Sequence, residues 1–314
     1  MRIALVTPAP PVGARGGNRT TALRWARLLR SLGHRVTISN RWDGRPADVL
    51  IALHALKSRA CVLAFQDAHP ERPVVVALTG TDLYGSLGES DEARDTVRRA
   101  TRLIVLQPRA VDALPVEARA RTRVICQSAS APEEIAAREG FVVCVVSALR
   151  DVKDPLLCGR AARMLPASSQ IHVEHFGAPL EPALVEAAHR EARENPRYRW
   201  LGDRPRRSVM RALAGSRILV LSSRLEGGAN VISEALAADV PLLSTRIPGS
   251  VGLLGEDYRG YFPVGDAAAL SVLLLRAEQD AQFYSSLKEQ CRARRPMVDP
   301  ARERASLARL LEEL

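Results

Sequence analysis

The chain has 314 residues, 46% of them hydrophobic and 25% charged, which is typical of a globular protein with room for two domains. Its formal net charge is +10, but the basic residues are almost all arginines spread along the chain, without a basic arm or a nucleic-acid-binding motif, which argues against nucleic acid as a partner. No apolar run approaches the roughly 18 residues of a membrane span, and the N-terminal run is too short for a signal peptide. Five cysteines without a CxxC pair favour reduced thiols, so we expect a cytoplasmic protein without stable membrane association.

Short runs of Val, Ile and Leu alternate with helical stretches through the first 130 residues. A helix that begins near Thr20 carries apolar residues at helical spacing and ends at Gly33, a C-terminal cap signal. Continuous apolar strands separated by helices indicate a parallel sheet covered on both faces. Strands are predicted at residues 3–6, 36–38, 49–53, 74–78, 103–106 and 123–126, with a second helix near 57–68.

The pattern starts again after a polar, acidic linker at residues 127–140. Strands are predicted at 141–146, 171–175, 217–221 and 240–244, with helices near 155–165 and 180–194 and further helices, broken at Pro296, at the end. The chain is therefore predicted to be an α/β protein of two Rossmann-like, doubly wound domains, 1–130 and 140–295, followed by a helix within 296–314. Ligands of such sheets bind beyond the carboxyl ends of the strands, so we expect the site in a cleft that the two domains face.

The most informative motif follows the strand at 217–221 and opens a helix. Two glycines let the backbone approach a ligand closely, and the N–H groups at a helix start suit an anion such as a diphosphate. Two glutamates eight positions apart could accept hydrogen bonds from a vicinal diol. The alternative is a glycine-rich turn with solvated glutamates. The predicted binding residues are Glu226, Gly227, Gly228, Ala229, Asn230 and Glu234.

A basic, glycine-rich loop lies between the first strand and the first helix. It matches neither the dinucleotide fingerprint nor the P-loop, but Arg15 and Arg19 could bind an anionic ligand. An ordinary loop with exposed arginines is an equally good interpretation. The predicted binding residues here are Arg15, Gly16, Gly17, Asn18 and Arg19.

Three polar residues follow two neighbouring strands of the first half. His54 ends the strand at 49–53, and Thr81 and Asp82 follow the strand at 74–78. Histidine and aspartate are common acid–base groups, although a lone histidine at a strand end is more often structural. His54 and Asp82 are therefore candidate acid–base residues at this edge, and Thr81 is a candidate ligand contact.

The Glu226-x7-Glu234 motif with Gly-Gly between resembles the donor site of GT-B glycosyltransferases of the glycogen synthase and sucrose synthase type. The resemblance implies that Glu226 contacts the donor sugar, that Glu234 contacts the ribose, and that the glycine-rich loop at Gly16 and Gly17 approaches the donor phosphates. Lys153 stands where that family has a diphosphate-binding lysine, whereas the family arginine is offset to Arg150. Gly202 lies in a stretch similar to the base-binding loop. The resemblance also implies that domain 1–130 binds the acceptor, that domain 140–295 binds the donor, and that the final helix, residues 300–314, crosses back onto the first domain.

The sequence has no Asp-x-Asp motif and no zinc-ligand spacing, so we expect neither a metal nor another cofactor, with Arg150 and Lys153 neutralising the leaving diphosphate instead.

Several longer stretches together resemble the selenosugar synthases of selenoneine biosynthesis. They are residues 7–19, 41–44, 78–84, 149–155 and 255–262. The resemblance implies a UDP-sugar donor (UDP-N-acetylglucosamine or UDP-glucose), selenophosphate as acceptor, and a 1-seleno sugar as product. Because a selenium nucleophile that is already anionic needs little general-base help, we expect His54 and Asp82 to orient it rather than deprotonate it, and Thr81 to contact it. Three alternatives stay open: a transferase for a saccharide or lipid hydroxyl, with residues 20–32 as a membrane-facing helix; a nucleotide-sugar epimerase; and a non-catalytic nucleotide-sugar-binding protein.

Overall fold

The computed structural model describes residues 1–8, 16–133, 135 and 139–314. The chain divides into two compact units. The first comprises Met1–Gln127, Glu226–Ala229 and Pro300–Leu314, and the second comprises Ser128–Leu225 and Asn230–Asp299. Each unit therefore includes more than one stretch of the chain.

The first unit is built on a six-stranded parallel sheet with strand order β2-β1-β3-β4-β5-β6. Along β1, Ile3 and Leu5 join one apolar cluster and Ala4 and Val6 join another, so the sheet is covered on both faces. The strands are β1 Arg2–Val6, β2 Arg35–Ser39, β3 Val49–Leu53, β4 Val74–Leu78, β5 Arg102–Val105 and β6 Thr122–Val124.

The helices of this sheet connect successive parallel strands. Gly33, at φ 86°, ends α1, and the Ser90 side chain caps the first turn of α4 by accepting from the Ala93 N–H. The helices are α1 Gly17–Ser31, α2 Arg59–Ala68, α3 Leu87–Glu89, α4 Asp91–Arg99 and α5 Val116–Arg119, with short turns at Asp82–Ser86 and Pro108–Val111.

The second unit has its own six-stranded parallel sheet, with order β12-β11-β10-β7-β8-β9. Its strands are β7 Phe141–Val146, β8 Ile171–Phe176, β9 Tyr198–Gly202, β10 Ile218–Leu221, β11 Leu242–Thr245 and β12 Tyr261–Phe262. Its helices are α6 Leu157–Arg163, α7 Pro182–Glu194, α8 Arg206–Ala214, α9 Asn230–Ala237, α10 Pro248–Leu254, α11 Ala267–Gln279 and α12 Ala281–Arg294. Asp266 and Asp280 cap α11 and α12 through their side chains.

The last helix, α13 (Pro300–Glu312), packs on α1 in the first unit. Its Glu303 carboxylate, fully buried, accepts from Arg24 Nε at 2.9 Å and from Trp25 Nε1 at 2.7 Å. Leu307 and Leu310 of α13 complete the apolar cluster around Trp25. Because Trp25 is itself buried, α1 does not present it to solvent or lipid.

The α/β fold class with two parallel sheets is confirmed, but the sequence analysis missed two strands, β9 and β12. These are the two edge strands of the second sheet. β12 has only two residues, and β9 carries Arg199 and Trp200 rather than a continuous aliphatic run. Neither strand therefore has the apolar run by which the other strands were predicted.

Candidate functional site

The loop that follows β7 carries the two predicted cations of the second unit. Arg150 is exposed and precedes a short 3₁₀ turn at Asp151–Lys153, while Lys153 is half-buried. Asp154 comes next, in the left-handed region at φ 40°, and its buried carboxylate pairs with Arg160 at 2.9 Å and Arg224 at 3.3 Å. These two ion pairs link the end of the loop to α6 and to the segment after β10.

Hydrogen bonds join this loop to the one that follows β10, the neighbouring strand of the sheet. Ser222 Oγ donates to the Lys153 carbonyl at 3.0 Å, and the Arg224 N–H donates to the Val152 carbonyl at 2.9 Å. Thr245 Oγ1, at the end of β11, donates to the Ser223 carbonyl at 2.6 Å. The carboxyl ends of β7, β10 and β11 therefore form one braced edge, on which Arg150 and Lys153 lie.

A buried histidine supports the start of the same loop. His175 Nε2 donates to the Ser147 carbonyl at 2.8 Å, and Tyr198 donates its hydroxyl proton to His175 Nδ1 at 2.7 Å. Burial lowers the pKa of His175 to about 4, so the ring is neutral at physiological pH. Gly177 lies against the same carbonyl, because a Cβ there would be 1.7 Å from the Ser147 oxygen. Sequence analysis identified neither residue.

The two glycines of the glycine-rich motif pack closely against other parts of the protein. The segment Glu226–Ala229 groups with the first unit, where a Cβ on Gly227 would lie 2.5 Å from the Thr79 carbonyl and one on Gly228 would lie 2.6 Å from Leu106 Cβ. Both glycines therefore allow contact with the protein's own chain, in addition to the ligand contact that the sequence predicts. Glu226 is half-buried, Ala229 is buried and Asn230 begins α9.

Glu234 lies within α9 and is 5% exposed, with its Oε1 bonded to Arg206 Nη1. Arg206 begins α8, shortly after Gly202 at the end of β9, and its side chain is half exposed. Gly202 is in the left-handed region at φ 72°. Arg206 was not identified from the sequence, because nothing in its local pattern links it to a carboxylate 28 positions later. The structure thus adds a cation beside the predicted ribose-binding glutamate.

The loop after β1 leads into α1 in the first unit. Arg15 lies outside the described residues. Gly16 precedes the helix with extended backbone and is exposed, as is Gly17, while Asn18 and Arg19 are half-buried in the first turn. No acidic residue stands in that turn, so its N–H groups retain their positive potential.

Asp82 is bound by the backbone around it. Its carboxylate is fully buried and accepts from the N–H groups of Thr79 and Gly80, both at 2.8 Å, and from that of Ala55 at 3.0 Å. These bonds tie the chain after β3 to the chain after β4. In this position Asp82 braces two loops, and its oxygens are occupied by hydrogen bonds from the protein.

His54 is 2% exposed and adopts φ 75°, a left-handed conformation unusual for any residue but glycine. Its Nε2 lies 3.1 Å from Thr81 Oγ1, and Thr81 is exposed. Burial lowers the pKa of His54 below its ordinary value, against the opposing effect of Asp82, so the ring is neutral near pH 7. The structure therefore brings His54, Thr81 and Asp82 together at the carboxyl edge of the first sheet.

Two features are absent from the described part of the chain, a metal-binding cluster and a membrane-spanning helix. No group of three or more His, Cys, Asp or Glu side chains there is placed to hold one metal ion. No helix within those residues is long and apolar enough to cross a membrane.

The fold is that of the GT-B glycosyltransferases. HepE from Anabaena, crystallised with UDP and glucose, superposes with a TM-score of 0.80 over 100% of both chains at 17% identity. Sucrose-phosphate synthase from Thermosynechococcus elongatus superposes with a TM-score of 0.82 at 13% identity, covering 99% of this chain and 98% of the other. A trehalose-phosphate synthase from Burkholderia xenovorans, in complex with glucose-6-phosphate, gives 0.68 at 14% identity over 85% and 73%.

Residues 128–294, more than half of the chain, match the family model described as glycosyl transferases group 1. The chain belongs to this family and is a glycosyltransferase.

Proposed function

We propose that the chain transfers a sugar from UDP-N-acetylglucosamine or UDP-glucose to selenophosphate. The part of this proposal that concerns the donor rests on the braced edge after β7, β10 and β11. There Arg150 and Lys153 lie on a loop that Ser222 and Arg224 hold by hydrogen bonds. Rigidly held cations can stabilise the charge that grows on a departing diphosphate. The UDP and glucose bound by HepE, which shares the fold, support the same donor class.

The remaining donor contacts follow from the motif. Glu226 binds the sugar, and Glu234, held by Arg206 through Oε1, accepts from the ribose hydroxyls through Oε2. Gly202 and the loop after β9 receive the uracil. Because the cations of the protein neutralise the diphosphate, the proposed reaction uses no metal.

The acceptor half rests on the resemblance of five stretches to selenosugar synthases and on the first turn of α1. N–H groups and arginine at a helix start suit a small oxyanion. Selenium attacks the anomeric carbon as the bond from that carbon to UDP breaks, and UDP leaves with the bonding electrons. Water then cleaves the selenium–phosphorus bond, which gives phosphate and the 1-seleno sugar.

The structure bears on one alternative acceptor. A lipid-modifying enzyme could use α1 as a membrane-facing helix, but Trp25 is buried and Arg24 is paired with Glu303. An exposed aromatic residue on a basic face is what such a helix requires. Among hydroxyl acceptors a soluble saccharide therefore fits better than a lipid.

The test is a matrix of donors and acceptors without added metal. Each UDP-sugar is incubated with freshly generated selenophosphate, with inorganic phosphate or with a soluble saccharide, and UDP release and selenium-containing products are followed. We expect a 1-seleno sugar only with selenophosphate. UDP release only with a saccharide would overturn the selenium acceptor and keep the transferase. Conversion of the donor without acceptor would indicate an epimerase, and tight UDP binding without turnover would indicate a non-catalytic protein.

The donor site is tested separately with Lys153→Met. We expect UDP to bind at least about ten-fold more weakly, because a cation facing the diphosphate is lost. Lys288→Met is the matched control, since Lys288 pairs with Asp239 on the surface of the second unit. Equal UDP affinity in the two variants would contradict the proposed role of Lys153.

A further inference from the structure

The hydrogen bonds of His54 determine which of its ring nitrogens carries the proton. The Lys57 N–H donates to His54 Nδ1 at 3.3 Å, so Nδ1 acts as an acceptor. In a neutral imidazole the other nitrogen then carries the hydrogen. Protonation of Nδ1 would place its N–H against that of Lys57, and the carboxylate oxygen beside it, Asp82 Oδ2, lies 3.9 Å from Nδ1, beyond hydrogen-bond distance. The neutral form with hydrogen on Nε2 is therefore the one that the surrounding chain accommodates.

This assignment fixes the role of the Thr81 hydroxyl. His54 Nε2 donates to Thr81 Oγ1 at 3.1 Å, so Thr81 accepts from the histidine and its own proton points elsewhere. Because Thr81 is exposed, that proton is available to a ligand at this edge of the sheet. A buried histidine thus sets an exposed hydroxyl as a hydrogen-bond donor.

The loops that carry the pair are held at a fixed separation. Asp82 joins the chain after β3 to the chain after β4 through Ala55, Thr79 and Gly80. A second polar group lies at the same edge: Thr7 directly follows β1, the neighbour of β3, and its buried hydroxyl has no partner within the part of the chain that the structure describes. A buried hydroxyl without a partner is costly unless a ligand or water completes it, so this edge is suited to receive a polar ligand.

We propose that His54 is a positioning residue that holds the Thr81 hydroxyl as a donor to an unprotonated oxygen of the acceptor. An unprotonated phosphate-type oxygen accepts hydrogen bonds and cannot donate them, so it can accept from the Thr81 O–H. The inference rests on the proposed function for the identity of the acceptor, and it assigns to His54 a role through Thr81 rather than contact with the substrate.

Matched amide variants separate this role from a structural one. His54→Gln places an N–H donor near the position of Nε2. His54→Asn keeps an oxygen near the position of Nδ1 for the Lys57 N–H and tolerates a positive φ, but does not reach Thr81. Thr81→Val removes the hydroxyl, and Thr81→Ser keeps it. Thr37→Val, on the edge strand β2, is the control.

The first readout is steady-state kinetics with selenophosphate and UDP-N-acetylglucosamine. We expect Thr81→Val and His54→Asn to raise the KM for selenophosphate about ten-fold, the effect of one hydrogen bond to an anion, with the KM for the donor unchanged. Thr81→Ser and His54→Gln should stay within about three-fold of the wild type. An equal rise in both KM values, or equal loss in His54→Asn and His54→Gln, would overturn the inference.

The second readout does not depend on turnover. Inorganic phosphate is titrated into the UDP-saturated protein, and we expect Thr81→Val and His54→Asn to weaken its binding about ten-fold relative to Thr37→Val. If the wild type binds no phosphate, or if Thr81→Val binds it equally well, the inference is wrong even if a seleno sugar forms. If phosphate binding responds as expected but selenophosphate is not used, the selenium acceptor is wrong and the positioning role stands.

Discussion

Asp82 has no exposed surface, and three backbone N–H groups donate to its two oxygens. A general base must present a lone pair to the substrate, which these contacts prevent unless the loops open. The residue is better understood as the support for Thr81 and His54. Its motif indicated the right edge of the sheet, but its partners come from two separate loops and cannot be inferred from spacing.

The Asp82→Asn variant tests this supporting role. The amide group would replace one oxygen with an N–H donor beside the Ala55 N–H, so we expect the free energy of unfolding to fall by about 2 kcal/mol. Urea denaturation measures the change. Asp112→Asn, at the surface beside Arg109, is the control and should differ little from the wild type. A midpoint for Asp82→Asn equal to that of the control would refute the prediction.

His175 makes stability depend on pH. Its pKa is about 4 in the folded chain against 6.5 for an ordinary histidine, so below pH 6.5 the unfolded chain binds a proton that the folded chain does not. Stability should therefore fall as pH drops from 6.5 towards 4. Between pH 7.5 and pH 5, His175 alone lowers the free energy of unfolding by about 2 kcal/mol. The lowered pKa of His54 acts in the same direction.

The contribution of His175 is isolated by comparing the wild type with His175→Gln in urea at pH 7.5 and pH 5. We expect the wild type to lose more free energy of unfolding between these pH values than the variant does. His172→Gln, a half-exposed histidine on the same strand, should behave like the wild type. Identical pH slopes in all three proteins would show that His175 titrates normally.

Among the elements, the central strands of both sheets were readable from the sequence because each is an unbroken aliphatic run, such as Val74–Leu78. The placement of their loops was readable too, since the carboxyl ends of parallel strands meet at one edge of a sheet. The contacts that hold these loops could not be read from the sequence. Arg206 meets Glu234, and His175 meets Ser147, only after strands far apart in sequence have become neighbours.

Gly177, in the loop after β8, can be substituted to test how this loop supports the one that carries Arg150 and Lys153. A Cβ there would lie 1.7 Å from the Ser147 carbonyl oxygen, so Gly177→Ala must displace the chain that leads to Arg150 and Lys153. We expect UDP to bind at least about ten-fold more weakly by calorimetry, since misplaced cations no longer match the diphosphate. Gly88→Ala, where a Cβ meets nothing within 4 Å, is the control. Unchanged UDP affinity in Gly177→Ala would show that the loop adapts.

At the scale of the whole molecule, the first unit is completed by the last helix. Glu303 of α13 is the buried partner of Arg24 and Trp25 on α1. The composition and alternation of the sequence predicted two α/β halves, but an ion pair across 279 positions leaves no local signal. It follows from the sheet and helix packing of the finished unit.

Glu303→Ala tests the importance of this contact. It removes the buried carboxylate that pairs with Arg24 and Trp25, so we expect the free energy of unfolding to fall by about 3 kcal/mol. Trp fluorescence in urea measures the change. Glu312→Ala, exposed near the end of the same helix, is the control. Arg24→Leu together with Glu303→Leu should recover part of the loss, because no charge then remains buried. A loss as small as that of Glu312→Ala would contradict this account.

The position of α13 also bears on how the chain folds during synthesis. When the first 127 residues leave the ribosome they contain the whole first sheet, yet the partner of Arg24 is still untranslated. At 5–20 residues per second, Glu303 follows after about ten seconds to half a minute. Until then Arg24 lacks the Glu303 carboxylate and the apolar patch around Trp25 is uncovered, so chaperone binding to nascent chains should concentrate on α1 and end when α13 emerges.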